Sequence, residues 1–384
     1  MNYSAIFILN LSFLPFFINC IDDYITLHYF SLSKGFLVDL GIGEHELPIF
    51  FSFNMARDYS LLSDHTYNRL SMQSEKQEIV YNNQDVYADM LSLKLSLLPQ
   101  CKVQNFDMYY IHEKRNELYD EIGLSYNSIE QPSSLVYQLK KNKMIKRLAF
   151  GFSPEKNEEE GDVYFGDIPI QYRNNKKIEL RVKSIEHKWG CDLTQIYINN
   201  EMKDKFELDS YTYFQSNSRY IRIPQSFFTF LNTKIFMDYI VKQQCVINQI
   251  ASIKKFRCDC EITKHFPSIR FVIDDNIIEL TKDNLFIFDS YSKCVFTMVN
   301  DVNDFSRHFI LGVSFYRNYY TLFNYERQSI ELYSTKSNRQ IQVTETQREI
   351  IVNQNTKYLY IILGILLSIT SAFISIIKNK YIHN

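Results

Sequence analysis

Residues 309–325 read FILGVSFYRNYYTLFNY, a stretch with two distinct parts. Hydrophobic residues lead to Gly312, one of only 10 glycines in the chain. The second part, YYTLFNY at 319–325, is rich in the aromatic residues that favour β-structure and has the length of one strand. This second part therefore predicts a strand.

Short runs of the same kind recur along the chain and predict a mainly β fold. Polar turns rich in asparagine and lysine separate them. The runs read FLVDLGI, PIFFSF, EIVY, LSLKLSLL, DVYFGDIPIQY, IELRVKSI, QIYI, YIRI, IRFVI, NLFIF, KCVFTMV and SIELY. Helical spacing is confined to short pieces such as SFFTFLNTKIFMDYIVKQQ at 226–244.

The composition is that of a globular protein with a core. The chain has 384 residues, of which 46% are hydrophobic and 22% are charged. The net charge of −2 gives no electrostatic reason to expect a nucleic-acid partner. Only 10 residues are glycine, so few positions can adopt a positive φ without strain.

Two apolar segments near the ends predict a secreted or luminal protein held in a membrane. No charged residue precedes Asp22, and AIFILNLSFLPFF at 5–17 has the length of a signal-peptide core. YLYIILGILLSITSAFISII at 358–377 carries no charge, and as a helix it would span about 30 Å, the thickness of the hydrocarbon core. Lys378 and Lys380 follow it, as expected at a cytoplasmic end.

Six cysteines remain if Cys20 leaves with the signal peptide: Cys101, Cys191, Cys245, Cys258, Cys260 and Cys294. In an oxidising compartment they allow up to three disulfides, and the cysteine count alone leaves their pairing open. Cys258, Cys260 and His265 could also be read as metal ligands. Their spacing matches no common zinc pattern, so we expect no metal site.

Most common catalytic motifs are absent from the sequence. It contains no Gly-x-Ser-x-Gly turn, no phosphate-binding glycine-rich loop and no His-Glu-x-x-His. The remaining option for a bilobal β protein is a pair of carboxylates, one from each lobe.

The stretch 309–325 closely resembles the C-terminal signature of the pepsin-like aspartic proteases, the eukaryotic aspartyl protease family. Other segments resemble the family's motifs in the family's order, and the resemblance covers roughly residues 33–335. They are GFLVDLGIGEHELPIFFSFN before the first active-site loop, EIVY in the flap, IGLSYNS at the Leu-Gly-Leu turn, GDVYFGDI late in the first lobe, and IEHKWGC with Trp189. The resemblance implies a bilobal pepsin-like acid protease fold, mainly β with short helices.

The resemblance places the two catalytic positions at Asn54 and Gln215, where the family has aspartates. Met55 and Ala56 replace the Thr and Gly of the first loop, whereas Ser216 keeps a hydroxyl in the second. Aspartic proteases use two carboxylates that share one proton, with one acting as base and the other as acid. An amide cannot take a proton from water near neutral pH, so the site is predicted to be inactive.

Two aspartates offer an alternative pair in another register. Asp58 lies four residues after Asn54, and Asp209 begins an Asp-Ser sequence in which Tyr211 occupies the position of the loop glycine. An active aspartic endopeptidase with a misassigned pair is therefore one alternative function. A structural surface protein that uses only the stability of the fold is another.

The resemblance also implies a flap and a disulfide. Tyr81 matches the tyrosine of the flap hairpin and is a candidate for binding a substrate or ligand, although the flap's glycines are replaced. Cys294 matches a cysteine that pairs within the second lobe, with Cys260 as the favoured partner and Cys258 as the less favoured one. No cofactor is expected.

These features predict a membrane-anchored pseudoprotease that binds a peptide or protein in its cleft and contacts the membrane through its C-terminal helix. It would be a single-pass type I protein of the secretory pathway or cell surface, with its bulk luminal or extracellular. The expected divisions are a signal peptide at 1–20, an N-terminal lobe at 24–172, a C-terminal lobe at 173–335, a stalk at 336–357, a transmembrane helix at 358–377 and a cytoplasmic tail at 378–384.

Overall fold

A computed structural model describes much of the chain between residues 24 and 334. The described residues are 24–32, 35–58, 60–70, 75–81, 84–111, 120–126, 134–154, 160–185, 188–198, 205–290, 292–304 and 307–334. The predicted signal peptide, stalk, transmembrane helix and cytoplasmic tail lie outside them. Within the described stretches no helix is both long and apolar enough to cross a membrane.

Strands dominate the described residues, which confirms the mainly β prediction. The first ten are β1 (Tyr24–Leu32), β2 (Gly35–Ile42), β3 (Leu47–Asn54), β4 (Glu75–Tyr81), β5 (Gln84–Leu98), β6 (Cys101–Tyr110), β7 (Asp120–Gly123), β8 (Ala149–Pro154), β9 (Glu160–Gly166) and β10 (Lys177–Arg181). The next eight are β11 (Lys183–Ile185), β12 (Lys188–Ile198), β13 (Lys205–Phe214), β14 (Ile221–Arg222), β15 (Cys245–Ile250), β16 (Ile253–Asp259), β17 (Ile269–Ile273) and β18 (Asn276–Leu280). The last six are β19 (Phe286–Ser290), β20 (Lys293–Phe296), β21 (Met298–Asp301), β22 (Phe309–Leu311), β23 (Tyr319–Asn324) and β24 (Ser329–Ser334).

The helices are short, as expected. They are α1 (Asp64–Leu70), α2 (Leu135–Lys141), α3 (Gln225–Leu231), α4 (Met237–Val241), α5 (Lys282–Leu285) and α6 (Val313–Tyr316). A π-helical turn at Asn232–Phe236 joins α3 to α4, so the segment with helical spacing is helical over most of its length. Pro224 precedes α3 with φ −59°, the angle that proline fixes and a helix start accepts.

The strands form two sheets of 12 strands each. In the first sheet the order is β10-β24-β23-β8-β9-β1-β2-β3-β7, and the β4-β5-β6 meander joins it where β5 pairs with β2. In the second sheet the order is β18-β17-β12-β13-β22-β14-β21-β16-β20-β19, with β11 beside β12 and β15 beside β16. Among the described residues, the last two strands, β23 and β24, therefore complete the sheet that the first strands begin.

Aromatic side chains join the two sheets. Trp189 of β12 is fully buried, and its ring centroid lies 5.8 Å from that of Phe150, 5.1 Å from that of Phe323 and 4.8 Å from that of Tyr325. Its indole Nε1 donates a hydrogen bond to the carbonyl oxygen of Leu124 at 2.8 Å. A buried indole needs such an acceptor, so this bond fixes the ring while its faces pack.

The stretch 309–325 forms β22, α6 and β23. Gly312 is the turn between β22 and α6, and all six residues of β23 are buried. A Cβ atom added at Gly312 would lie 2.2 Å from the carbonyl oxygen of Ser218 and 2.4 Å from that of Tyr220. Glycine is needed here because two backbone oxygens occupy the space of a side chain.

Two disulfides lie in the second sheet and beside it. Cys260 and Cys294, which the resemblance pairs, form one of them, and Cys245 and Cys258 form the other. The paired cysteines are 13 residues apart in the Cys245–Cys258 disulfide and 34 apart in the Cys260–Cys294 disulfide. A disulfide that closes a loop of such length typically contributes about 2–4 kcal/mol to stability. Cys258 and Cys260 belong to different disulfides, so neither sulfur is available to a metal. Cys191 is free and buried, and burial raises the pKa of its thiol.

Candidate functional site

Asn54 is the last residue of β3 in the first sheet. The residues before it, Phe51 to Phe53, are buried because β3 lies between β2 and β7. β7 runs parallel to β3, with Gly123 opposite Asn54, and the Leu124 amide donates to the Asn54 carbonyl oxygen at 2.9 Å. The carboxyl ends of two parallel strands therefore meet at Asn54.

The Asn54 side chain is held at both ends of its amide. Its Oδ1 accepts a hydrogen bond from the Ala56 amide at 3.0 Å, and its Nδ2 donates to Glu121 Oε2 at 3.1 Å. The residue is only 4% exposed, so these bonds replace the water that an open amide would bind. Asn54 is thus fixed in one orientation.

Glu121 of β7 is the carboxylate that contacts Asn54. The same Oε2 atom lies 2.5 Å from Arg57 Nε, and each of these two side chains is 16% exposed. Sequence reasoning missed both residues as members of the site. Glu121 is 67 residues from Asn54, and only the pairing of β7 with β3 brings the two together.

Asp120, the residue before Glu121, stabilises the start of α1 on the other side of β7. Its carboxylate accepts from the Ser63 amide at 2.8 Å and from the Thr66 hydroxyl at 2.7 Å, at the start of α1. Burial raises the pKa of the Asp120 carboxyl, although these hydrogen bonds favour its charged form. Successive strand residues face opposite sides, so Glu121 is directed to Asn54 while Asp120 anchors α1.

Gln215 follows β13 of the second sheet, and the loop that it begins contacts the first sheet. The main-chain N–H of Gln215 donates a hydrogen bond to the Leu311 carbonyl oxygen at 3.0 Å. The buried Ser216 hydroxyl donates to the Phe53 carbonyl oxygen at 2.6 Å, and the Phe36 amide donates to the Ser216 carbonyl oxygen at 3.3 Å. The residue after Gln215 is therefore bonded to the residue before Asn54.

Met55, the residue after Asn54, makes no comparable hydrogen bond to the loop that begins at Gln215. Its side chain is fully buried, and its sulfur accepts a hydrogen bond from the Tyr316 hydroxyl at 3.5 Å. Burial raises the pKa of Tyr316, which keeps the phenol protonated as the donor. A thioether is a weak acceptor and has no hydrogen to donate, so Met55 packs between the loops without linking them as Ser216 does.

The structure also describes the backbone positions of the other candidates from the sequence. Asp58 accepts a hydrogen bond from the Ser125 hydroxyl, and Asp209 lies within β13 rather than in a loop. Tyr81 ends β4 opposite Gln84 of β5, so the two strands form a hairpin. The Tyr81 side chain lies outside the described part of the structure.

Replacing Ser216 by alanine is expected to lower the free energy of unfolding by about 1 kcal/mol, the net value of a hydrogen bond in a protein. The change deletes the donor to the Phe53 carbonyl oxygen and adds no bulk. Urea unfolding followed by tryptophan fluorescence measures the loss, since Trp189 is the only tryptophan. Ser52→Ala on β3 is the control, because its hydroxyl makes no hydrogen bond with the described residues. Equal losses in the two variants would contradict the role of the bond.

The fold and the paired loops are those of an aspartic-protease-like protein. A family model described as eukaryotic aspartyl protease matches residues 107–335, more than half of the chain. The chain belongs to this family, which is one of aspartic endopeptidases.

The comparison with solved structures confirms the pepsin-like fold. The chain is similar to the crystal structure of the aspartic proteinase from Irpex lacteus, with a TM-score of 0.63 and 13% sequence identity. The match covers 82% of this chain and 98% of the other. No curated protein matches the chain. The fold and the disulfides fit a secreted or luminal domain.

Proposed function

We propose that the protein is a membrane-anchored pseudoprotease that binds peptides or proteins at the site around Asn54 and Gln215. The observation that carries the proposal is the state of the Asn54 amide, which is bonded to Ala56 on one side and to Glu121 on the other. An aspartic protease needs two carboxylates that share a proton. Amides at 54 and 215 cannot act as the base or the acid.

Two features of the structure support the binding of a peptide. The Ser216 hydrogen bond to Phe53 holds the two loops against each other, and β4 and β5 form a hairpin in the first sheet. A peptide offers main-chain amide and carbonyl groups, which the side-chain amide of Gln215 can pair with. The proposed anchor rests on the uncharged sequence 358–377, and the fold and disulfides are compatible with its luminal or extracellular placement.

The experiment combines binding and cleavage in one mixture. The full chain, purified in detergent, is incubated with a library of linear peptides from about pH 3 to about pH 7, the range over which a carboxylate pair would titrate. Mass spectrometry then identifies retained peptides and cleavage products. We expect retained peptides and no products. Cleavage that depends on the protein would show an active endopeptidase, and neither retention nor cleavage would favour a structural surface protein.

A further inference from the structure

Glu121 holds its two carboxylate oxygens in different environments. Oε2 accepts a hydrogen bond from Asn54 Nδ2 at 3.1 Å and forms an ion pair with Arg57, whose Nε lies 2.5 Å away. Oε1 accepts no hydrogen bond from a described residue, and the side chain that carries it is 16% exposed. A carboxylate oxygen has two lone pairs and is a strong acceptor, so Oε1 keeps its full capacity for a partner from outside the chain.

The position of Oε1 suits a ligand of the proposed site. Glu121 contacts Asn54 at the carboxyl ends of β3 and β7, and the loop that begins at Gln215 is bonded to Phe53 beside them. The Glu121 side chain is 16% exposed, so its position is fixed by its neighbours while part of it remains accessible. A preoriented acceptor of this kind binds a donor without first losing side-chain freedom.

We propose that Glu121 Oε1 accepts a hydrogen bond from a main-chain N–H of an extended peptide bound at this site, a proposal that rests on the peptide-binding function above. A neutral amide fits better than a cation. Arg57 already balances the charge of Glu121, and a second cation would lie close to its guanidinium group. A neutral N–H donor meets a charged acceptor without that repulsion.

Glutamine at position 121 tests this acceptor with little change of shape. Asn54 Nδ2 and Arg57 Nε are both donors, so the new amide would turn its oxygen towards them. Its NH₂ group would then occupy the position of Oε1. Two hydrogen-bond donors, this NH₂ group and the main-chain N–H of the peptide, would face each other. Glu121→Gln should therefore weaken peptide binding about tenfold or more, because a hydrogen bond to a charged group is lost.

The matched control is a second glutamate–arginine pair in the second sheet. Glu279 Oε1 lies 3.3 Å from Arg270 Nε, with side-chain exposures of 23% and 19%. These two residues face each other on the β17–β18 hairpin. Glu279→Gln removes the same charge from a similar pair and should leave peptide binding unchanged.

The experiment uses peptides that the full-length wild type selects from a display library of random linear sequences. The tightest binder is resynthesised with each main-chain N–H replaced in turn by N-methyl, and its affinities are measured by fluorescence anisotropy for wild type, Glu121→Gln and Glu279→Gln. In the wild type and Glu279→Gln, one N-methyl group should weaken binding about tenfold. In Glu121→Gln, where binding is already weak, the same group should have no further effect.

The outcomes separate this proposal from the function on which it rests. A library that yields no binder defeats the peptide-binding function, and this proposal falls with it. A binder whose affinity and N-methyl profile are the same in wild type and Glu121→Gln defeats the role of Glu121 alone. Thermal unfolding of both variants shows whether a loss of binding reflects a loss of fold.

Discussion

Alanine at position 312 is expected to lower the free energy of unfolding by about 3 kcal/mol or more, at the upper end of what overpacking costs. The added Cβ would lie 2.2 Å and 2.4 Å from the carbonyl oxygens of Ser218 and Tyr220. Neither oxygen can move freely. The Val313 amide donates to the first at 2.7 Å, and the Ser218 hydroxyl donates to the second at 2.9 Å.

The strain at Gly312 comes from contact and not from backbone angles, since its φ of −93° is open to any residue. Urea unfolding measures the free energy of unfolding of Gly312→Ala and of Gly190→Ala. The difference between the two losses isolates the effect of the close contact at Gly312. A Cβ at Gly190 would lie 3.3 Å from its nearest atoms, which a small shift can accommodate, and alanine suits a strand better than glycine does. A loss at Gly312 as small as that at Gly190 would show that residues 218–220 are free to move.

The double substitution Asn54→Asp with Gln215→Asp is expected to leave the protein without efficient proteolysis. The new carboxylate at 54 would face Glu121, because Asn54 Nδ2 now donates to Glu121 Oε2 at 3.1 Å. Two carboxylates at that distance repel each other, and Arg57 already pairs with Glu121, so Asp at 54 would be held in this group instead of sharing a proton with Asp at 215. Met55 also brings no hydroxyl to orient the new pair.

A triple variant that adds Glu121→Gln removes the competing carboxylate. Its peptide cleavage should exceed that of the double variant, with a gain within the roughly 10²–10⁴-fold that a general acid–base group supplies. Cleavage is measured with an internally quenched peptide from about pH 3 to about pH 7, and the Asn54→Asp single variant serves as the control without a second carboxylate at 215. Robust cleavage by the double variant would show that Glu121 does not compete and that the loops needed no further support.

Local patterns in the sequence predicted strands and short helices, and the resemblance predicted the fold, but neither predicted the contacts within the site. The strand after Gly312 and the helical spacing at 226–244 depend on neighbours in the chain, so their patterns are readable from the sequence. Glu121 reaches Asn54 only through the register of β7 on β3. The pairing of Cys245 with Cys258, and the solitary state of Cys191, likewise depend on which strands become neighbours.

The hydrogen bond of Ser216 could not be predicted from the sequence either. The resemblance to the aspartic proteases located the residue and noted its hydroxyl. Its acceptor, the Phe53 carbonyl oxygen, belongs to a distant segment that no spacing identifies. The contact of Met55 with Tyr316 is also invisible in the sequence, because it joins side chains from the two ends of the fold.

The strand order of the first sheet has a consequence for biosynthesis. β8 pairs with β9 on one side and with β23 on the other, and β23 is made long after both. At about 5–20 residues per second, the ribosome needs on the order of ten seconds to travel from β8 to β23. During that time β8 is an open strand edge, which attracts other chains. A chaperone that covers β8 until Asn324 has left the ribosome would protect the nascent chain from aggregation.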